Sequence, residues 1–365
     1  MQDGNASAGE SSMGSARVRL GLIGGGMMAQ IGHLPFYRDD PRVEVVAVAE
    51  ERPSLQAALA ERLGADRVVD HHETLLARGD IDAVVISAPR PATGPLTLAA
   101  LEAGKHVLAE KPMAHTAAQA RRLVEAAEAR DLIYVVGYMK LADPGVEAAR
   151  EAFAELLRSG RLGRLLSARF YDHSKSYAVT PPSHVRPAES RTVRFEEWPL
   201  APDWLSERHR AGYAWFLNAA SHDVSLLRAF FPDRLRLVGA SSPGEGAVCA
   251  LLAAGPVPLI LEVSKTEAGR WLEGADFQFE GGRLTLSIPS PMAVDEVARV
   301  RIDDRAAGLL DAPVPSGQGW SFARQAKAFI DVLTGEREAP HAPAKEALAD
   351  MELCEAIWRQ IEDQA

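Results

Sequence analysis

The sequence predicts an α/β protein in two unlike parts. The first is a doubly wound parallel sheet, and the second is an α+β domain with an open, mostly antiparallel or mixed sheet. Three observations carry this prediction. An apolar run at 18–23 feeds directly into Gly24-x-Gly26-x-x-Ala29, the form of a strand-to-helix turn built for close backbone approach. Over the first third, apolar Val/Ile/Leu-rich runs alternate with helical stretches, which implies parallel strands covered on both faces. Beyond about residue 160, strand-like runs follow one another with turns between them, the pattern of a mixed or antiparallel sheet.

The elements follow in order. Strand candidates at 17–23, 43–49, 67–69, 82–87, 105–109 and 132–137 alternate with helices at 54–63, 96–103 and 117–130. Thr116 and Gln119 have the spacing of a capping box for the last of these. A helix over 146–159 opens the second part, and strands are expected near 164–172, 234–241, 246–252, 257–265, 276–280 and 283–288. Residues 173–211 carry five prolines with Trp198 and Trp204, too long a stretch for a simple connection. Amphipathic helices at 322–333 and 344–360 close the chain. The expected organisation is a disordered tail at 1–16, a doubly wound domain at 17–139, an α+β domain at 140–319, and terminal helices at 320–365 that pack back on the core.

Composition narrows the function. The chain has 365 residues, 47% apolar and 25% charged, with a net charge of -10. An acidic surface repels nucleic acid and anionic membrane alike, so neither is an expected partner. Cys249 and Cys354 are too few for a disulfide framework or a zinc site, and no metal is expected. The first 15 residues have neither a basic nor an apolar signal region, so a cytoplasmic protein is expected.

Chemistry concentrates at the expected carboxyl edge of the first sheet. In the glycine turn, Gly24 permits the tight bend, Gly26 lets backbone N–H groups approach a pyrophosphate, and Ala29 lets the helix pack closely. Glu50 ends the second strand, 24 positions after Gly26. It can accept from the ribose hydroxyls and repel a 2′-phosphate, which favours NAD, whereas the nearby Arg52 leaves NADP open. Ser87, Ala88 and Pro89 end a fourth strand, and the fifth delivers Glu110-Lys111-Pro112 to the same edge.

These motifs resemble the glucose-fructose oxidoreductase / inositol dehydrogenase / rhizopine-catabolism family. The resemblance rests on Gly-Leu-Ile-Gly-Gly-Gly at 21–26, Glu50, and Gly-Lys-His-Val-Leu-Ala-Glu-Lys-Pro at 104–112. Val-Gly-Tyr-Met at 136–139, Ser-Gly-Arg-Leu-Gly at 159–163 and Ser-Phe-Ala-Arg-Gln at 321–325 agree with it. It implies a Rossmann domain, a second domain with an open sheet that often makes oligomer contacts, and a homodimer or homotetramer. It also implies an NAD(P)-dependent dehydrogenase or ketoreductase acting on a secondary alcohol or ketone of a sugar, cyclitol or sugar-like metabolite, and a Lys–Pro peptide that is often cis.

Carried over residue by residue, the resemblance gives Lys111 and His222 as catalytic residues, with Asn218 orienting the site. The family's usual Asp-x-x-x-His is here Asn218-x-x-x-His222, an amide in place of a carboxylate. Thr93 stands where many relatives have histidine and is expected to cap the helix after it. The expected cofactor contacts are Gly24, Gly26, Met27, Met28, Glu50, Ser87, Ala88, Pro89, Glu110, Lys111 and Met139. Substrate-side candidates are Lys140, Asp143, Tyr171, His173, Tyr213 and Trp215, since aromatics beside polar groups suit a sugar ring. Asp223 is expected to serve structure or a helix cap. Two alternatives use the same scaffold: an NAD-assisted glycoside-cleaving enzyme, and a non-catalytic NAD- or metabolite-sensing regulator.

Overall fold

A computed structural model describes residues 17–174, 182–189, 195–232, 235–244, 246–267, 271–314 and 319–364. The expected tail at 1–16 and parts of the 173–211 stretch lie outside the described residues.

The first sheet contains β1 (Val18–Ile23), β2 (Val43–Ala49), β3 (Val68–Val69), β4 (Ala83–Ile86), β5 (His106–Ala109) and β6 (Tyr134–Val136). All pair in parallel, in the order β3-β2-β1-β4-β5-β6. Every residue of β4 and β6 is buried, as continuous apolar runs require when helices cover both faces. The order reverses between β1 and β4, which opens a crevice at their carboxyl ends.

Helix α1 (Leu34–Arg38) continues a π-helical turn, Ala29–His33, that follows the glycine bend. Helices α2 (Pro53–Leu63) and α3 (His72–Leu76) follow. Helix α4 (Arg90–Glu102) starts earlier than expected. Pro91 suits its first turn. Pro95 leaves the Pro91 carbonyl without its helical donor, and the Trp198 N–H takes that carbonyl at 2.9 Å. Thr93 is therefore inside the helix rather than its cap, and its hydroxyl donates back to Ala88 O and Pro89 O at 3.3 Å. Helix α5 (Ala117–Glu128) carries the Thr116/Gln119 capping box.

The second sheet is mixed. Its strands are β7 (Leu165–Ser174), β8 (Leu235–Ser241), β9 (Ala247–Ala254), β10 (Val257–Lys265), β11 (Glu273–Phe279), β12 (Gly282–Ile288), β13 (Arg299–Asp304) and β14 (Gly308–Asp311). They run in the order β14-β13-β12-β11-β7-β10-β9-β8, and only β7 and β10 pair in parallel. The sequence reading missed β13 and β14. Strand β13 alternates exposed and buried residues as Arg-Val-Arg-Ile-Asp-Asp, and its charged outer face masked a half-buried strand.

Helix α6 (Pro144–Ser159) and helix α7 (Glu207–Phe230) cover the inner face of this sheet. Phe153 of α6 and Phe230 of α7 meet Phe277 of β11 at ring separations of 4.6 and 4.8 Å. Helix α7 begins at Glu207, about three turns before Asn218. One continuous helix thus carries Trp215, Asn218 and His222 at i, i+3 and i+7, along one face. Helices α8 (Ser321–Leu333) and α9 (Ala344–Asp363) pack back on both parts. Arg228 of α7 donates to buried Asp350 of α9, and Trp358 of α9 packs edge-on against Tyr213. Among the described residues no helix is long and apolar enough to cross a membrane.

Candidate active site

The glycine turn leaves a cradle at the carboxyl end of β1. Gly24 has φ +96°, and a Cβ there would lie 2.3 Å from Ser87 O. At Gly25 a Cβ would meet Leu59 at 2.6 Å and Glu50 Oε2 at 3.1 Å. At Gly26 the nearest such neighbour is Arg52 Nη2 at 3.8 Å, so its backbone faces open space. Bare backbone amides at the start of a helix fit a dinucleotide pyrophosphate. Buried Glu50 accepts from Gly25 N at 2.7 Å, from Arg52 N at 2.9 Å, and from Arg52 Nε and Nη2 at 2.7 and 2.8 Å. Burial opposes its charge, yet these four donors hold the carboxyl below its ordinary range.

A cavity of about 450 Å³ opens between the two sheets, bounded by Met28, Ser87, Ala88, Glu110, Lys111 and Met139 on one side. On the other side lie Trp215, Asn218 and His222 of α7, Asp172 of β7, and Lys140, Lys265 and Trp271. The Lys111–Pro112 peptide is cis. Lys111 Nζ donates to Asn218 O at 2.7 Å and is 3.5 Å from Asn218 Oδ1. Burial lowers the Lys111 amine to about 8, against an opposing pull from Glu110. Glu110 in turn accepts from His33 Nε2 at 2.7 Å, which ties the Lys111 loop to the helix after the glycine turn.

His222 is buried, and its Nδ1 has no hydrogen-bond partner among the described residues. Burial, then the charges of Lys140 and Lys111, push this imidazole well below its ordinary value. The ring is therefore neutral at neutral pH. Beneath it lies an acidic cluster. Lys140 donates to Glu273, which also accepts from Trp271 Nε1 at 3.0 Å. Burial opposes the Lys140 charge, but Glu273, Asp223 and Asp172 outweigh it and raise the ammonium. Burial and crowding by Asp172 push Glu273 up to about 7. The same two causes, burial first and then Glu273 and Asp172, drive Asp223 well above the carboxylate range.

The sequence-read residues divide accordingly. Lys111, Asn218, His222, Met28, Ser87, Ala88, Glu110, Met139, Lys140 and Trp215 converge on the cavity. Gly24, Glu50, Ser87, Ala88 and Pro89 line an adjoining hollow with Arg52 and Phe195. Met27 is half-buried against the apolar cluster of Ile31, Met139, Met292, Trp320 and Phe322.

Four substrate-side expectations need correction. Residues 168, 170 and 172 of β7 are buried, so the pleat turns Tyr171 and His173 to the opposite face. There Tyr171 stacks on His173 and lies under Arg169. Tyr213 is fully buried and donates to His115 O at 2.7 Å. Asp143 caps α6, accepting from Gly145 N and Ala298 N. Asp223 lies within α7 rather than at its end, in the buried cluster, and its Oδ2 has no hydrogen-bond partner among the described residues.

Sequence reasoning missed Asp172, Glu273, Trp271 and Lys265. A usable signal existed for two of them. Asp172 is in phase with Ala168 and Phe170, and Glu273 with Ala275 and Phe277, so each is an acid at an inward strand position.

A doubly wound sheet with a pyrophosphate cradle, joined to a second sheet across a cleft holding an amine and a neutral imidazole, defines a two-part dinucleotide-binding protein. Residues 18–138 match the family described as "Oxidoreductase family, NAD-binding Rossmann fold". The chain resembles this family over that first part, about a third of its length. It is 37% identical over 155 residues to the dTDP-3,4-didehydro-2,6-dideoxy-alpha-D-glucose 3-reductase of Streptomyces violaceoruber, covering 42% of this chain and 44% of the relative. It is 32% identical over 215 residues to the 1,5-anhydro-D-fructose reductase of Ensifer adhaerens, covering 59% and 57%. The chain thus spans about half the length of the curated relatives it matches. A 3-ketoreductase from Actinomadura kijaniata, solved with NADP and TDP-benzene, shares the fold at a TM-score of 0.72, with 24% identity and coverage of 95% of this chain and 98% of that one.

Proposed function

We propose that the protein is an NAD(P)-dependent oxidoreductase acting on a secondary alcohol or ketone of a sugar, cyclitol or sugar-like metabolite. The observation that carries this is the meeting of Lys111 and His222 on one cavity that also borders the dinucleotide cradle. The dinucleotide, held by Gly24, Gly26, Glu50 and the Ser87–Pro89 rim, supplies the hydride acceptor or donor when bound.

This chain's residues handle the proton and the substrate. In the oxidation direction a neutral His222 accepts the hydroxyl proton, and the Lys111 ammonium stabilises the negative charge developing on oxygen. The Asn218 carbonyl fixes the amine, so the catalytic geometry is set before substrate arrives. Trp215 and Trp271 offer apolar walls beside the polar Lys140 and Asp172, a combination suited to a polyol ring. The sugar substrates in the names of the matched relatives support the same class.

The test is a panel of sugars, cyclitols and their keto forms, read by absorbance of the reduced nicotinamide. Lys111→Ala and His222→Ala should bind NADH as the wild type does and lose about a hundredfold or more in turnover. Normal turnover in both variants would rule out this assignment.

A further inference from the structure

Residues 182–189 lie across the nucleotide cleft and are fastened on both sides of it. On one side is Gln30, in the helix opened by the glycine turn. Its Nε2 donates to Val185 O at 3.0 Å and to Gly25 O at 2.9 Å, and its Oε1 accepts from Val185 N at 2.9 Å. On the other side is Ser54, in the first turn of α2. Its Oγ accepts from Ala188 N at 3.0 Å, and its backbone N–H donates to Glu189 Oε1 at 2.8 Å. The segment therefore bridges the pyrophosphate turn to the helix that follows Glu50.

Arg52 stands at the centre of this bridge. Glu50 grips its guanidinium through Nε and Nη2, and the Glu189 carboxylate attracts it as well. A lone arginine after β2 offers a cationic seat for a ribose 2′-phosphate, and the start of a helix adds to it. Here both partners of that seat are already engaged by carboxylates of the chain itself. Three carboxylates, those of Glu50, Glu51 and Glu189, act on this one cation, and a phosphate would add at least one more negative charge.

We propose that Glu189, reaching across from the segment between the two sheets, is a specificity residue for the dinucleotide: its carboxylate holds the place a 2′-phosphate would need and selects NAD(H) over NADP(H). This rests on the dinucleotide reading above and extends it. It also settles how Arg52 can stand beside Glu50 without recruiting a phosphate.

The experiment is a fluorescence titration of the full chain with NADH and with NADPH, on the wild type, Glu189→Gln, and Glu189→Gln/Arg52→Ala. Glutamine can still accept from Ser54 N–H, so the first variant removes charge and keeps the bridge. The wild type should prefer NADH. Glu189→Gln should tighten NADPH by about tenfold or more, the scale on which removal of a like charge changes an affinity. NADH should stay within about threefold, since the 2′-hydroxyl form carries no charge there. The gain should vanish in the double variant. An unchanged NADPH/NADH ratio in Glu189→Gln, or an equal shift of both ligands, overturns the proposal. Failure of either nucleotide to bind any folded form, with folding checked by thermal unfolding, overturns the dinucleotide reading itself.

Discussion

Asn218→Asp isolates the feature that separates this site from the usual Asp-x-x-x-His pattern. The substitution keeps the side chain's size and adds one negative charge. Asn218 is exposed to the cleft, so the new carboxylate loses little hydration. Its oxygen would stand near the present 3.5 Å from Lys111 Nζ. At that separation two unit charges attract by about 1 kcal/mol in bulk water and by about 5 kcal/mol at an effective dielectric of 20. The Lys111 amine, now at about 8, should therefore titrate roughly one to three pH units higher. A group needed as ammonium is lost as pH rises through its own value, so the alkaline limb of activity should move upward by the same amount. His222 lies one helical turn from the new charge, and its imidazole should rise toward the ordinary range. The variant should be faster than the wild type above about pH 9 and slower near pH 6. The direct assay is carbon-13 NMR of labelled lysine side chains, with the Lys111 resonance assigned by Lys111→Arg, and it needs no substrate. A Lys111 titration unmoved in Asn218→Asp would refute the electrostatic account of this cleft.

Three other substitutions test the frame around the site. Gly24→Ala places a methyl 2.3 Å from Ser87 O at a φ of +96°. It should cost about 2 kcal/mol or more and abolish NADH binding, as read by urea unfolding and titration; wild-type values for both would sink the cradle. Lys140→Met leaves Glu273, Asp172 and Asp223 without their ammonium and should cost about 3–5 kcal/mol near pH 8. Carboxyls held above their unfolded values add stability only while protonated, and Glu273 already stands at about 7. The loss should therefore shrink at pH 5, and an equal loss at both pH values would contradict this. Arg228→Ala orphans buried Asp350, which it meets at 2.6 and 3.0 Å. It should cost about 3 kcal/mol or more and speed hydrogen exchange in α9 before the first sheet opens, whereas unchanged α9 exchange would argue against the coupling.

The first sheet was readable because parallel strands buried on both faces announce themselves as unbroken apolar runs, as β4 and β6 do. The glycine turn was readable because a positive φ and the close approach of Ser87 O restrict residue type at Gly24, and the Lys111 loop because Glu110-Lys111-Pro112 ends an apolar strand. The second sheet was harder, because its edge strand β14 is exposed throughout and β13 on alternate residues. Tyr171 and His173 were misassigned for want of register. Knowing that a strand ends near a site does not say which face of the pleat looks in, and a one-residue change of phase exchanges Asp172 for its neighbours. The Lys140–Glu273 pair joins residues 133 apart in the chain, a separation no local pattern encodes. The bridge from Gln30 and Ser54 to residues 185–189 is hidden for the same reason.

The amide at position 218 changes which group carries the proton in this cleft. A carboxylate there would favour an imidazolium at His222 and a strongly held ammonium at Lys111. In this chain the anions lie instead on β7 and β11, as Asp172 and Glu273, and Lys140 stands in contact with Glu273. Burial first, and then the charges of Lys140 and Lys111, keep His222 neutral. A proton taken up by such an imidazole is passed on quickly, because burial and both ammonium groups oppose its charge. The amine, by contrast, rests at about 8, close enough to neutral pH to be present in both forms. Lys111 supplies, as ammonium, the charge that stabilises the substrate oxygen in either direction. The neutral His222 accepts the hydroxyl proton of an alcohol in oxidation, and the imidazolium so formed returns that proton to the carbonyl oxygen in reduction. The forward and reverse reactions share one transition state, so each residue keeps its role in both, and the amide at position 218 sets the protonation states from which they start.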